Sequence, residues 1–380
     1  MEDMTAFICR YLEAHGISCK VLRPEEHSPD IIAELGPAGG RTLILNGHCD
    51  VVPAGNREKW RFDPFGGEIR DGKILGRGAS DMKSGLAGLL FVLGILADEK
   101  IRLDGRIVLT VVPDEEISGV WGTKWLVESG TVTGDACLIA EPTGYFNCEI
   151  GQKGCCWLKL SVNGQPAHGS LSPFVGDNAI VKLLNILNRI DCIRDIVPRY
   201  DEETARVMEE SRAMAKRLLT AKGAQHVLNH CTVNIGKISG GTKVNMVPDY
   251  AEAEVDVRIP LGVTSEMVEE RLIRIIKESC IENVDYKFSW RSEPNSTDRK
   301  AEIVEAVAEN VKEVWNEPLN RTYQWASSDA RFFRYAGIPT LQYGPANLEG
   351  VHAYNETVDV EDVVNASKVY IGAITDYLNK

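Results

Sequence analysis

The sequence predicts an α/β protein with a large domain and a small one. The large domain has a mixed, mostly parallel sheet sandwiched by helices, and the small α+β domain is inserted into it. Three observations lead there. A chain of 380 residues exceeds what one hydrophobic core usually serves, so two domains are expected. Toward both ends, short apolar runs alternate with helical spacing, the pattern of strands covered on both faces. Between them the strands alternate apolar and polar residues, as half-exposed strands do.

The elements follow in order. Residues 5–15 have helical spacing, and residues 42–46 form a short apolar run ending at Gly47, which suits a buried strand. Residues 84–96 are apolar nearly all round and read as a buried helix. Residues 106–112, rich in β-branched side chains and stopped by Pro113, read as a strand, and 136–140 as another. In the middle, 156–162 alternates, 178–189 is helical, and 202–219 is charged and helical, a surface excursion. Strands at 231–238, 251–259 and 284–290 with a helix at 265–280 complete a small sheet with two principal helices. Residues 293–296 read as the return loop, followed by helix 301–314, strand 339–342 and helix 360–378. The predicted division is 1–154 and 294–380 for the large domain and 155–293 for the insert.

Composition excludes some functions. Net charge is −13, which disfavours nucleic acid and anionic membrane, since both select a basic face. The ten cysteines form no zinc-type pair of C-x-x-C units and read as free thiols of a reducing cytoplasm. The start, MEDMTAFICRYLEAHGIS, lacks a signal-peptide core. No uncharged apolar run reaches the ~18 residues of a membrane span. The expected location is cytoplasmic.

Five segments carry the chemistry. Gly47-His48-Cys49-Asp50 closes a buried strand, where open α/β sheets place ligands. His48 reads either as a metal ligand oriented by Asp50 or as a capped loop histidine. GRGASDMKSG, from Gly76 to Gly85, opens the apolar helix. Its spacing fits neither a P-loop nor a dinucleotide fingerprint, and Asp81 would repel phosphate. A helix cap by Asp81 or Ser80 and a metal-bridging Asp81 both stay open. VVPDEEISG sets Asp114, Glu115 and Glu116 at a strand end, where like charges need a cation or solvent. Ala140-Glu141 delivers another carboxylate from an apolar strand, and GVHAYNE offers His352 before the last helix. Two histidines and several carboxylates suit two zinc ions, with one carboxylate bridging. Metals ~3.5–4 Å apart can share a water and lower its pKa toward ~7. A spare carboxylate then takes its proton.

GHCDVVP, GRGASDMKSG, PDEEISG, AEPTG and VHAYNE, in that order, resemble a known zinc-dependent family. It is the family of acetylornithine deacetylase, succinyl-diaminopimelate desuccinylase, aminoacylase and glutamate carboxypeptidase. The resemblance covers nearly the whole chain. It implies that His48 and Glu141 bind one divalent ion, Glu116 and His352 the other, and Asp81 both, with a cis peptide bond at Asp81-Met82. Zinc is the expected metal, with cobalt and manganese as alternatives. Glu115 is then the general base and later the acid, and Asp50 the partner of His48. The insert becomes a lid and dimerisation domain. Its His168, in GQPAHGS, reaches a neighbouring active site; the alternative is a surface histidine in a turn. Asn245, Arg258 and Gly344 fall at substrate-binding positions, with Arg258 pairing a substrate carboxylate in a forked geometry; the alternative for Arg258 is a solvent-facing strand residue. The family carries a helix ahead of the segment that begins here, so the expectation is either an upstream start or a protein without that helix.

The implied activity is hydrolysis of the N-acyl group of an N-acylated amino acid or related amine by a homodimer. Glu at position 141, and the segments SSDARFF and YGP, resemble the deacylase branch. A peptidase of the same family and a catalytically inactive binding protein are the alternatives.

Overall fold

The computed structural model describes residues 1–219 and 221–380, which form two compact units. One comprises Met1–Gly151, Ser296–Thr322 and Ser328–Lys380; the other Gln152–Asn295 and Tyr323–Ser327.

The chain opens with α1 (Glu2–Ala14), β1 (Cys19–Glu25), β2 (Ser28–Leu35) and β3 (Thr42–His48). The short strands β4 (Glu68–Arg70) and β5 (Lys73–Leu75) follow, then α2 (Ser84–Asp98), β6 (Arg106–Val112), α3 (Thr123–Glu128), β7 (Ala136–Ile139) and β8 (Asn147–Gln152). The middle holds β9 (Gly154–Asn163), α4 (Ala179–Ile190), α5 (Glu202–Leu218), β10 (Thr232–Gly240), β11 (Tyr250–Ile259), α6 (Ser265–Glu278) and β12 (Val284–Ser292). The last part runs through β13 (Asn295–Ser296), α7 (Glu302–Trp315), β14 (Asn320–Gln324), α8 (Ala330–Tyr335), β15 (Thr340–Gln342), β16 (Thr357–Asp359) and α9 (Val360–Leu378).

The large sheet has the order β1-β2-β6-β3-β7-β15-β8-β13, with β14 on β8. Its centre is parallel, as predicted: β3 pairs with β6 and β7, and β7 with β15. The helix α2 packs on β3 and α9, and α7 on α9 and β7. The stretch Ala79–Asp98 is long and apolar enough to cross a membrane by composition, but 72% of its apolar 18-residue window is buried. It is the core helix that its all-round apolarity requires.

Two antiparallel strands, β1 and β2, extend this sheet beyond the sequence reading. Pro29 and Asp30 hide β2 from any apolar pattern. Pro29 is tolerated because it falls where the β1–β2 register shifts, between the Leu22 and Glu25 pairings.

The four-stranded sheet is antiparallel, β10-β11-β9-β12. Leu158, Leu160 and Val162 of β9 alternate inward with Ala253, Val255 and Val257 of β11. They pack on Leu183 and Ile186 of α4 and on Val268, Leu272 and Ile275 of α6. One expectation needs correction. The helix α5 is more than a surface excursion, because Val207, Met208, Met214 and Ala215 bury one of its faces.

Candidate metal centre

Three parallel strands end together. His48 of β3 lies opposite Val112 of β6, and Asn46 of β3 opposite Ile139 of β7. This register brings His48, the turn after Val112 and Glu141 to one edge, the carboxyl end where open α/β sheets bind ligands. The turn before α2 supplies Asp81. Gly85 lets that helix start lie against the end of β7, since a Cβ there would come within 2.0 Å of the Ala140 carbonyl oxygen. The Asp81-Met82 peptide bond is cis.

Asp81 stands between two histidines. Its Oδ1 is 3.2 Å from His48 Nε2, and its Oδ2 is 3.2 Å from His352 Nε2. Each imidazole has a further carboxylate: Glu141 Oε1 at 3.7 Å from His48 Nε2, and Glu116 Oε1 at 3.2 Å from His352 Nε2. Glu115 joins the first side, where ligand atoms of His48, Glu115 and Glu141 lie within 4.8 Å of one another. His48 and Glu141 are buried, whereas His352 is exposed with a left-handed backbone (φ +59°).

The electrostatics suit a cation. Burial pushes the Glu115 carboxyl up to about 8 and Glu141 well above the carboxylate range. Burial opposes a charged His48, but Glu141, Asp50 and Asp81 outweigh it and hold the ring well above its usual value. Hydrogen bonds to Asp81 and Glu116 raise His352 to about 10. Burial would raise Asp81, but the two histidines hold it well below its usual value. The cluster thus retains protons where positive charge is wanted. Two imidazoles and four carboxylates are the nitrogen and oxygen donor set that zinc-like divalent ions accept, so the residues fit such ions.

Asp50 behaves differently from a simple imidazole partner. His48 Nδ1 is 3.0 Å from the Asp50 main-chain oxygen and 3.4 Å from its Oδ1. The Asp50 carboxylate instead accepts the N–H groups of Glu115 (3.3 Å) and Glu116 (3.0 Å). Asp114 turns away from the cluster to accept the N–H groups of Trp121 (2.8 Å) and Gly122 (3.0 Å). A solvated acidic turn would need none of these contacts.

Gly344 spends its backbone on a neighbouring turn. Its N–H donates to Thr143 Oγ1 at 3.2 Å, and its carbonyl accepts from Gly144 at 3.1 Å. In the smaller unit, His168 is exposed, and the Ser170 N–H donates to its Nδ1 at 3.3 Å. The N–H of Gly169, next to His168, donates to the Asn245 carbonyl at 2.8 Å, which brings the predicted His168 and Asn245 segments together. Arg258 Nε donates to Asp256 Oδ1 and Oδ2 at 2.9 and 3.0 Å, so the in-strand neighbour shares its guanidinium.

Sequence reasoning missed Glu356 and Arg77. Glu356, fully buried, pairs with buried Arg77 and accepts the N–H groups of Gly78 (3.1 Å), Ser80 (2.9 Å) and Asp81 (3.0 Å). No side chain caps α2, so neither Asp81 nor Ser80 serves as its helix cap. The available signal was Glu356 itself, an acid four residues past His352 with no other assigned task.

Residues 44–376 match Peptidase family M20/M25/M40. The chain belongs to that family. It is therefore an M20-type hydrolase, of a family whose solved members include a dinuclear metal-binding peptidase of Bacillus subtilis (TM-score 0.70, 17% identity, 99% of this chain and 92% of that one). A probable succinyl-diaminopimelate desuccinylase of Staphylococcus aureus is 27% identical over 98% of this chain and 93% of its own length. The M20 metallo-carboxypeptidase of Sulfolobus solfataricus shares the fold, with TM-score 0.83 and 21% identity over 100% of this chain and 94% of its own.

Proposed function

We propose that this M20 hydrolase removes the acyl group from an N-acylated amino acid or a closely related amine. The observation that carries the reading is Asp81, one oxygen toward His48 and the other toward His352, each histidine with its own glutamate. His48 and Glu141 would hold one divalent ion, Glu116 and His352 the second, and Asp81 both. Zinc suits these donors, and cobalt or manganese would be accepted as well. Bound there, the ions polarise the amide carbonyl and lower the pKa of the attacking water toward ~7.

The chain's own residues do the rest. Glu115 keeps part of its surface open to solvent, so a water can reach it. It takes the water's proton as the oxygen adds to the carbonyl carbon. It returns that proton to the leaving nitrogen as the C–N bond breaks, giving a carboxylate and a free amine. Ser170 engages the His168 Nδ1 through its Oγ (2.7 Å) and its N–H (3.3 Å), so Nε2 is the ring nitrogen that would face a developing oxyanion. Asn245 and Arg258 would bind the substrate, Arg258 through its carboxylate. The protein would work as a cytoplasmic homodimer joined through the smaller unit. The name of the Staphylococcus relative and the Glu at position 141 support deacylation.

The test is a hydrolysis screen on purified, metal-loaded protein with N-acetylornithine, N-succinyl-diaminopimelate, formylated amines and dipeptides. An acylated amino acid should turn over fastest, chelation should abolish the activity, and divalent metal should restore it. Cleavage of dipeptides alone would replace this reading with a peptidase.

A further inference from the structure

The turn Glu115–Ile117 carries two carboxylates of the centre on only three residues of 3-10 helix, so something outside it must fix their spacing. Asp50 holds its start through the N–H groups of Glu115 and Glu116. Its end falls on Ser118, whose backbone is left-handed (φ +106°), an unfavourable conformation for a residue with a side chain.

Arg331 meets that end. Its Nη2 donates to the Ser118 carbonyl at 2.7 Å, and its Nη1 to the Ser328 carbonyl at 2.6 Å. The guanidinium lies 4.2 Å from the Phe332 ring centroid, and the residue is 4% exposed. Asp329 closes the same side, since a Cβ on Gly119 would fall 2.1 Å from its Oδ1. The charges of Asp329 and Asp114 act on this buried guanidinium, and its two donated bonds fall on main-chain carbonyls of the turn and of the residue three before it. The planar fork joins α8 to the turn with fixed geometry, which a lysine or a water would not supply.

We infer that Arg331 is a positioning residue that grips the Ser118 carbonyl and so sets where Glu115 and Glu116 stand. Only the kinetic arm of the test rests on the proposed amide hydrolysis. Misplacing catalytic groups by about 1 Å can cost ~10²-fold, so Arg331→Met should lower kcat by roughly 10–100-fold with KM little changed. Millimolar guanidinium should restore turnover to Arg331→Ala, whereas methylammonium should not; a purely structural role predicts no such rescue.

The second arm is independent of turnover. Hydrogen exchange on the metal-free protein should quicken about tenfold in residues 113–122 of Arg331→Met and stay unchanged elsewhere, because the local opening free energy falls. If Arg331→Met does not fold, Arg331→Lys, which keeps the charge, should show the same pattern at smaller amplitude. A folded variant with wild-type exchange in 113–122, or wild-type kcat in active protein, overturns the inference. If the wild type hydrolyses no amide, the functional reading fails, and the exchange experiment still decides the role of Arg331.

Discussion

The Glu356 carboxylate accepts the backbone N–H of Asp81 at 3.0 Å. The residue that stands between the two histidines is thus tied to the loop that carries His352. The same carboxylate holds Gly78, Ser80 and the buried Arg77, so it aligns two loops that lie far apart in sequence.

Glu356→Gln should therefore destabilise the protein even without metal. The amide leaves Arg77 buried without a counter-charge and turns one acceptor into a donor that faces N–H groups. Breaking a buried pair in this way costs about 3–5 kcal/mol. Denaturant unfolding of chelated protein measures it, and a loss below about 1 kcal/mol would show that the tie is dispensable.

Glu115 and Glu116 are neighbours with different expected tasks. Glu115→Gln should lower kcat by ~10²–10⁴ while leaving metal content intact, because a base acts on the water. Glu116→Gln should lose one of the two ions. Elemental analysis beside kinetics separates the two; a Glu115→Gln enzyme with near-normal kcat would move the proton transfer to another residue.

The sequence was informative wherever a pattern is local. The apolar runs of β3, β6 and β7 and the acids that follow them were readable, because a strand that must be buried ends where its polar residues begin. The strand β2 was not, since its identity depends on pairing with β1 and β6 while Pro29 and Asp30 break its pattern. At the centre, all seven residues from His48 to His352 were named from their segments. The hold of Asp50 on the turn N–H groups and the Glu356–Arg77 pair arise from long-range packing, which no spacing encodes.

His168 offers a test across subunits. The resemblance implies that it serves the partner's centre, and Ser170 engages its Nδ1, which leaves Nε2 for that task. Mixing His168→Ala with Glu115→Gln under subunit exchange should restore part of the wild-type activity, since one site of each mixed pair then has both groups. Confirmed exchange with no activity, while the parent variants are dead, would confine His168 to its own chain.

Asp30 sets a pH dependence of stability. It is fully buried, and both carboxylate oxygens lack a hydrogen-bond partner among the described residues. Burial, reinforced by Asp114 and Asp329, pushes its carboxyl from 3.8 up to about 8. The folded state therefore holds a proton that the unfolded chain releases near pH 4. The stability linked to this group is fully present below that pH, falls as pH rises, and levels off once the folded carboxyl ionises near 8. Asp30→Asn keeps the shape and cannot ionise, so it should match wild type near pH 4 and exceed it by a few kcal/mol near pH 8. Glu149, also raised to about 8 by burial, contributes with the same sign but is common to both proteins, so it cancels in their difference. Urea unfolding from pH 4 to 9 gives the two curves. Parallel curves would mean that Asp30 ionises at its ordinary pKa in the folded state.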